Sequence, residues 1–427
     1  MYRPVHAIDV RLWNRSVGAV ALDPRWGYYA FEYMPSFVKS GIELAPLTMP
    51  LAQAGAPFIF TDLPEQTYKR LPALLADALP DDFGNALIDG WMAAKGVERG
   101  RITALDRLAY MGKRGMGALE FHPSRAPASA ESTALSLAAL VESARRAVHG
   151  ELDADHLAGA ALAQIIKVGT SAGGARAKAV VAWNPATQEL RAGQFDVEPG
   201  FEHWLLKFDG IGPDSELGST QDYGRIEYAY HRMAMAAGLA MSPCRLLEEG
   251  GRAHFMTRRF DRDGNCKHHL QTLCAMAHLD YKQKASHDYA QLFQTIMRLQ
   301  LGFKALEEAF RRMAFYVMAA NCDDHTKNFS FLLRAGEGWT LAPAYDVTHA
   351  HNPNGEWTHQ HLMAVNGKFT GIARSDLLTV ADRFGVGSAG KILRQVADAV
   401  SAWPDFAKLA GVTPKETARI RGHHCPL

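Results

Sequence analysis

The sequence predicts an α+β chain in three successive parts: a small mixed unit, a β-rich lobe and a helical lobe. Three observations carry that expectation. Short alternating apolar segments recur up to about residue 260, a glycine-rich turn lies among the later ones, and beyond 260 long segments repeat apolar residues every three or four positions.

In the first part, 1–123, Ala7–Trp13 and Tyr28–Tyr33 alternate as strands do, while Leu71–Leu79 and Gly84–Lys95 read as helices, the second started by Asp81-Asp82. Met111–Phe121 is rich in glycine, but it lacks the strand–loop–helix context of a nucleotide loop and reads as a tight turn into a strand. Pro123–Ala130, small and polar, is the expected linker, and a helix over Ser132–His149 follows it.

The second part, 124–257, contains a strand at Ile165–Val168, a glycine-rich hairpin at Gly169–Lys178, and strands at Ala179–Trp183 and Trp204–Phe208. A helix over Arg225–Gly238 ends at its glycine, and a strand at His254–Phe260 closes the lobe. In the third part, 258–427, helices are expected over Tyr289–Leu301, Phe303–Ala320, Ser375–Phe384 with Ser375 as N-cap, Ala389–Trp403 and Lys415–Arg421. A glycine-rich hairpin, a strand lysine, a helix glutamate and a connecting strand, in that order, form the small lobe of a kinase. The expected fold class is therefore a bilobal protein-kinase-like α+β fold behind a small N-terminal subdomain.

Bulk properties narrow the setting. The chain has 427 residues, 48% hydrophobic and 21% charged, with a formal net charge of +1, so the whole molecule has no general attraction for nucleic acid or an anionic membrane. No apolar run is long enough for a membrane span, and the N-terminus alternates as a strand where a signal peptide needs an unbroken apolar stretch. Five widely spread cysteines form no disulfide framework, which points to the cytoplasm. Cys266–Cys274 matches no zinc spacing and reads as a turn into a helix, and His423-His424-Cys425 reads as a frayed tail.

Chemistry concentrates in Asn321-Cys322-Asp323-Asp324-His325-Thr326-Lys327-Asn328 and in Asp346 across a predicted hairpin. Phosphoryl transfer uses one carboxylate to take the proton of a hydroxyl, and an amide with a second carboxylate to hold Mg²⁺ on the phosphates. Asp323 fits the first role, Asn328 and Asp346 the second, and the Asp-x-x-x-x-Asn spacing is that of a kinase catalytic loop. Asp324 points elsewhere, as a cap or an arginine partner. Lys327 is a candidate to steady the γ-phosphate, while His325 is either structural or part of the site. The backbone of Gly169–Lys178 can approach phosphates, although a plain hairpin is the other reading. Lys207 either neutralises phosphates or snorkels from an edge strand, and Glu227 either pairs with it or is a solvated helix charge.

At these residues the chain resembles the HipA family of bacterial serine/threonine-protein kinase toxins. Asn321–Asn328 with Tyr345-Asp346 matches its catalytic and metal elements, Ser171–Lys178 its glycine-rich loop, and Arg259-Phe-Asp-Arg262 the segment after its hinge. Leu105–Gly112 through Phe121 resembles its N-terminal subdomain, and Ala364–Lys368 with Ser375–Leu378 its large lobe. The resemblance implies an ATP- and Mg²⁺-dependent protein kinase whose substrates are aminoacyl-tRNA synthetases. It implies a helix-turn-helix antitoxin as partner, with DNA met only through that complex. ATP would be held by Gly173, Gly174, Ala175, Arg176, Lys178, Lys207, Arg258, Phe260, His325, Lys327 and Asn328, and inactivating autophosphorylation would fall on Ser171, with Thr170 as a neighbouring candidate. Arg258 departs from the pattern, since the family's hinge is acidic there; adenine held by backbone groups would tolerate the change. A small-molecule kinase of similar fold and a non-catalytic co-repressor are the competing readings.

Overall fold

Strand β1 (Ala7–Leu12) buries Ile8, Val10 and Leu12 completely on one face, with Ala7 and Arg11 exposed on the other. It turns into β2 (Arg15–Asp23) through Trp13 and Asn14, both at positive φ, as the two-residue turn of a tight hairpin requires. With β3 (Tyr28–Tyr33) and β4 (Leu119–His122) these strands form an antiparallel sheet of order β3-β2-β1-β4. The structure, a computed structural model, describes residues 2–80, 82–125, 137, 139–141, 177–209 and 222–427, with side chains 82 and 83 excluded. The expected strand Ile165–Val168, the loop 169–176 with Ser171, Gly173, Gly174, Ala175 and Arg176, most of the 132–149 helix and linker residues 126–130 lie outside the described residues.

Two compact units make up the chain. One comprises Met1–Gly212, Arg258–His278 and Leu332–Gly338, the other Pro213–Thr257, Leu279–Phe331 and Trp339–Leu427. In the first, helices α1 (Asp82–Ala93) and α2 (Ala104–Met111) pack together, and α2 leans on β1 and β4. A capping box starts α2: Thr103 accepts from the Asp106 N–H and Asp106 accepts from the Thr103 N–H. The second oxygen of Asp106 accepts from the Val5 N–H at 2.9 Å, which ties the helix to the strand. Strands β5 (Lys178–Trp183), β6 (Leu190–Ala192) and β7 (Glu202–Lys207) pair antiparallel with β5 in the middle, and β5 is buried along its whole length.

In the second unit, helix α3 (Tyr223–Ala236) packs on Ala389–Ser401 and Trp403–Ala410 and on the hairpin strand β8 (Cys244–Glu249), which pairs with β9 (Arg252–Arg258). Helices α4 (Tyr289–Arg298) and α5 (Phe303–Met318) pack on each other, and α5 also covers Ala389–Ser401. Fully buried Trp403 donates its indole N–H to Thr417 O at 3.0 Å, fixing the last helix, Pro414–Arg421. Among the described residues, no helix is long and apolar enough to cross a membrane.

Several expectations need correction. The helix expected over 71–79 shrinks to Ala73–Ala76, because Pro72 cannot extend it backward and Asp77 accepts from the Thr272 N–H and hydroxyl, both at 2.7 Å. Ser375 is not an N-cap. The helix starts one residue earlier, Arg374–Arg383, and Asp376 reaches back to the Ala373 N–H at 2.9 Å. The helix expected over 389–403 breaks at Ala402, where Pro404 cannot donate to the preceding turn, and a separate helix, Trp403–Ala410, follows. The His-His-Cys tail is docked: Tyr230 OH meets His424 Nε2 at 2.8 Å, His349 Nε2 meets His423 Nδ1 at 3.0 Å, and the Cys425 N–H donates to Met318 O.

Candidate active site

Helix α5 ends in a left-handed residue, Ala320 at φ +52°, which lets the Asn321 N–H bond Tyr316 O at 3.0 Å. The chain then runs beside residue 350: the Cys322 N–H donates to Ala350 O, and the Ala350 N–H to Ala320 O. The stretch expected to carry the chemistry thus leaves the helix in a fixed direction.

A single hydrogen-bonded turn follows. The Asn328 side-chain N–H donates to Asp323 O at 2.7 Å, and the Asn328 backbone N–H to His325 O at 2.8 Å, while Thr326–Asn328 forms one 3-10 turn. Thr326, completely buried, donates its hydroxyl to Leu279 O at 2.7 Å. The Asp323 carboxylate stays 43% exposed, within reach of a solution partner, whereas Asn328 is buried. Since the Asn328 amide nitrogen is spent on the Asp323 carbonyl, its Oδ1 is the atom left to serve a cation.

The strand Ser330–Leu333 leads away and Trp339–Leu341 returns, with the Ala342 N–H donating to Ser330 O at 2.9 Å. Buried Arg312 on α5 holds that return by donating to Ala342 O at 2.7 Å and to Glu308 at 2.8 Å. Tyr345 then donates its hydroxyl to Lys327 O, and the Tyr345 hydroxyl oxygen also lies 2.5 Å from Ser330 Oγ. This phenol ties Tyr345, the residue before Asp346, to the backbone of the Asn328 turn. Asp346 itself sits at φ +56°, a left-handed conformation that costs a non-glycine residue about 1–2 kcal/mol. Such strain persists where the surroundings over-determine it, and it clusters at functional positions.

Asp324 faces away from its neighbour, as expected, but its partners are neither a cap nor an arginine. It is fully buried and accepts from Tyr289 OH at 2.8 Å, the Leu362 N–H at 2.7 Å and His361 Nδ1 at 2.9 Å. His325 Nε2 lies 3.7 Å from Asp323 Oδ1, and its ring packs on Tyr281. Lys327 places its ammonium 4.9 Å from the centre of the same Tyr281 ring. Asn366 and Lys368 both bond Asp376, at 3.1 and 2.9 Å, so the two large-lobe motifs meet at one carboxylate. Bonds from the Ala373 N–H, Lys368 and Asn366 hold Asp376 down at about 2.

In the other unit, Lys178 on β5 stands directly opposite Lys207 on β7, so two ammonium-bearing side chains share one face of the sheet. Lys178 is buried and Lys207 half-buried. Arg258 is exposed and pairs with Glu202 at 3.2 Å, and Phe260 is half-buried. Glu227, on α3, is buried, which sets aside the solvated helix charge. Tyr281, Arg312 and His361 are not legible in the sequence; each works through a contact distant in sequence, and nothing in the local pattern marks it.

Asn328 Oδ1 and the Asp346 carboxylate are hard oxygen donors of the kind Mg²⁺ takes, completed by waters and phosphates rather than by a protein cage. Among the described residues, no group of three or more His, Cys, Asp or Glu is placed to hold a metal ion.

A family model described as the HipA-like C-terminal domain matches residues 170–403, and one described as the HipA N-terminal domain matches 8–122. Among solved structures, the chain is similar to one from the Shewanella oneidensis MR-1 toxin–antitoxin complex of HipA, HipB and operator DNA. The identity is 16% and the TM-score 0.66, over 97% of this chain and 94% of that one. That likeness shows the fold, α+β and protein-kinase-like behind an N-terminal subdomain. The Helicobacter pylori proinflammatory kinase CtkA aligns at 13% identity and TM-score 0.37, over 59% of this chain and 90% of that one. No curated protein sequence matches.

Proposed function

The chain belongs to the HipA family, and on that footing we propose that it is an ATP- and Mg²⁺-dependent serine/threonine protein kinase of toxin type. The observation that carries this reading is the turn closed by Asn328 on Asp323, to whose Lys327 carbonyl Tyr345, the residue before Asp346, donates its hydroxyl. Asp323 accepts the proton of the attacking hydroxyl, which its exposure permits. Asn328 Oδ1 and Asp346 would hold Mg²⁺, which would screen the triphosphate charge when bound. His325 orients Asp323, and Lys327, braced over Tyr281, attends the γ-phosphate.

Lys178 and Lys207 bind phosphate. The register of β5 and β7 puts the two ammonium-bearing side chains on one face of the sheet, where one anion could meet both. The backbone of Gly173, Gly174, Ala175 and Arg176 assists, and Arg258 and Phe260 flank the adenine. Autophosphorylation of Ser171 would switch the enzyme off by putting a phosphate where ATP phosphates must lie. The substrate is a translation component of the aminoacyl-tRNA synthetase class, and the partner is a helix-turn-helix antitoxin that supplies all DNA contact.

Incubation of the purified protein with γ-labelled ATP, Mg²⁺ and cell lysate tests the whole reading. A labelled synthetase is the expected result. A labelled metabolite without labelled protein, or no transfer, would contradict it.

A further inference from the structure

Cys322 immediately precedes Asp323 and takes no part in the proposed phosphotransfer. Its Sγ lies 3.7 Å from His351 Nδ1 and 3.9 Å from His361 Nε2. The other nitrogen of His361, Nδ1, meets the fully buried Asp324 carboxylate at 2.9 Å. A carboxylate at Nδ1 keeps the proton there and leaves Nε2 basic toward the sulfur. Carboxylate, imidazole and thiol in that order are the arrangement that generates a thiolate.

The electrostatics agree with the geometry. Burial pushes the Cys322 thiol up, but His361 and His351 together draw it below its ordinary value, against a smaller opposing push from Asp324. Burial likewise lowers His361, yet Asp324 and Cys322 raise it well above the usual imidazole range. Tyr230 and Tyr289 also face the sulfur's charge, and both phenols are held well above their ordinary value, first by burial. His423 packs edge-on to His351 from the tail.

We propose that Cys322 is a peroxide-sensitive thiolate, a modification site whose oxidation to the sulfenic acid displaces the Asp323 turn and stops phosphotransfer. The thiolate attacks one oxygen of hydrogen peroxide; the S–O bond forms, the O–O bond breaks, and sulfur gives up two electrons. The departing hydroxide takes the His361 proton and leaves as water. Only 5% of Cys322 is exposed, which suits a small oxidant better than a protein disulfide. The new oxygen has little room, since the backbone is pinned to Ala350 on one side and through Asp324 on the other. Strain therefore passes to the residue between, Asp323. The inhibition rests on the kinase reading above; the oxidation does not.

Two readouts keep these apart. The full-length protein is treated with hydrogen peroxide and a cyclic diketone that tags sulfenic acids, and its peptides are examined by mass spectrometry. Tagging of Cys322 ahead of exposed Cys266 and Cys425 is expected. Iodoacetamide alkylation is measured in parallel at about pH 8 and about pH 6, where an ordinary thiol slows by roughly a hundredfold and Cys322 should slow by clearly less. Phosphorylation should fall at least about tenfold with the tag, recover with dithiothreitol, and resist peroxide in Cys322→Ser. Prior tagging of Cys266 or Cys425, or an ordinary alkylation profile at Cys322, overturns the thiolate. Equal peroxide sensitivity in Cys322→Ser overturns the inhibition. A tagged Cys322 in a protein that never phosphorylates anything supports the thiolate and sinks the kinase reading instead.

Discussion

The Asn328 side chain donates to the Asp323 carbonyl oxygen at 2.7 Å, so the proposed metal ligand and the proposed base are two ends of one turn. Asn328→Asp keeps an oxygen donor but loses the N–H that closes the turn, and it sets a carboxylate against a carbonyl. Phosphorylation is expected to fall about 10–100-fold with a raised Mg²⁺ requirement, in line with other losses of support around a metal. A magnesium titration of initial rates checks this; an unchanged midpoint would detach Asn328 from the metal.

Asp261 is the most consequential buried charge outside the site. It accepts from Arg259 at 2.9 and 2.7 Å, Arg262 at 2.7 Å and the Gly117 N–H at 2.7 Å, all buried. Burial alone would raise its carboxyl, but the two guanidinium groups hold it far below the usual range. Burial in turn lowers Arg262 to about 10 despite Asp261. Asp261→Asn leaves two buried cations without their counter-charge and should cost about 3–5 kcal/mol. Urea unfolding followed by circular dichroism measures it, and a loss below about 1 kcal/mol would mean the cations find other partners.

Gly224, in the first turn of α3, has no room for a side chain: a Cβ there would lie 1.9 Å from Ala253 O. Gly224→Ala should destabilise by about 1–3 kcal/mol as the helix is pushed off β9. Gly55→Ala, where a Cβ meets nothing within 4 Å, is the control expected to be near neutral. Equal thermal midpoints for both variants would refute the tight packing.

Acid should weaken the fold early. Burial depresses His254 to about 4, His269 to about 3 and His424 to about 4, and His349 falls well below its ordinary value. The unfolded chain binds these protons near pH 6.5 while the folded chain refuses them, so stability is lost as pH falls from about 6.5 toward 4. His361 has the opposite sign: its contribution is full below about 6.5 and fades only as pH rises through its elevated folded value. Thermal midpoints at about pH 7 and about pH 5 should therefore differ, the lower at pH 5; an identical pair would deny that these imidazoles are buried uncharged.

Much of this was legible in the sequence where periodicity was strong. Tyr28–Tyr33 matches its strand residue for residue, and α3, α4 and α5 fall within a few residues of their expected bounds. Strand β2 escaped notice because Gly18 interrupts it and a register shift lies opposite, between Val10 and Arg11. At the candidate site, the spacing from Asp323 to Asn328 was readable because one turn closes it. The Asp324–His361 pair spans thirty-seven residues, and only tertiary packing creates it. The docked tail was unreadable for the same reason, since Tyr230 and His424 meet across most of the second unit.

The most direct test of the account is phosphotransfer by Asp323→Ala beside the wild type, with nucleotide binding measured on the same preparations. A general base contributes about 10²–10⁴-fold, so the variant should transfer labelled phosphate to protein at least a hundredfold more slowly while binding Mg²⁺-ATP as before. Transfer at the wild-type rate would contradict the assignment of Asp323 and, with it, the account of the site.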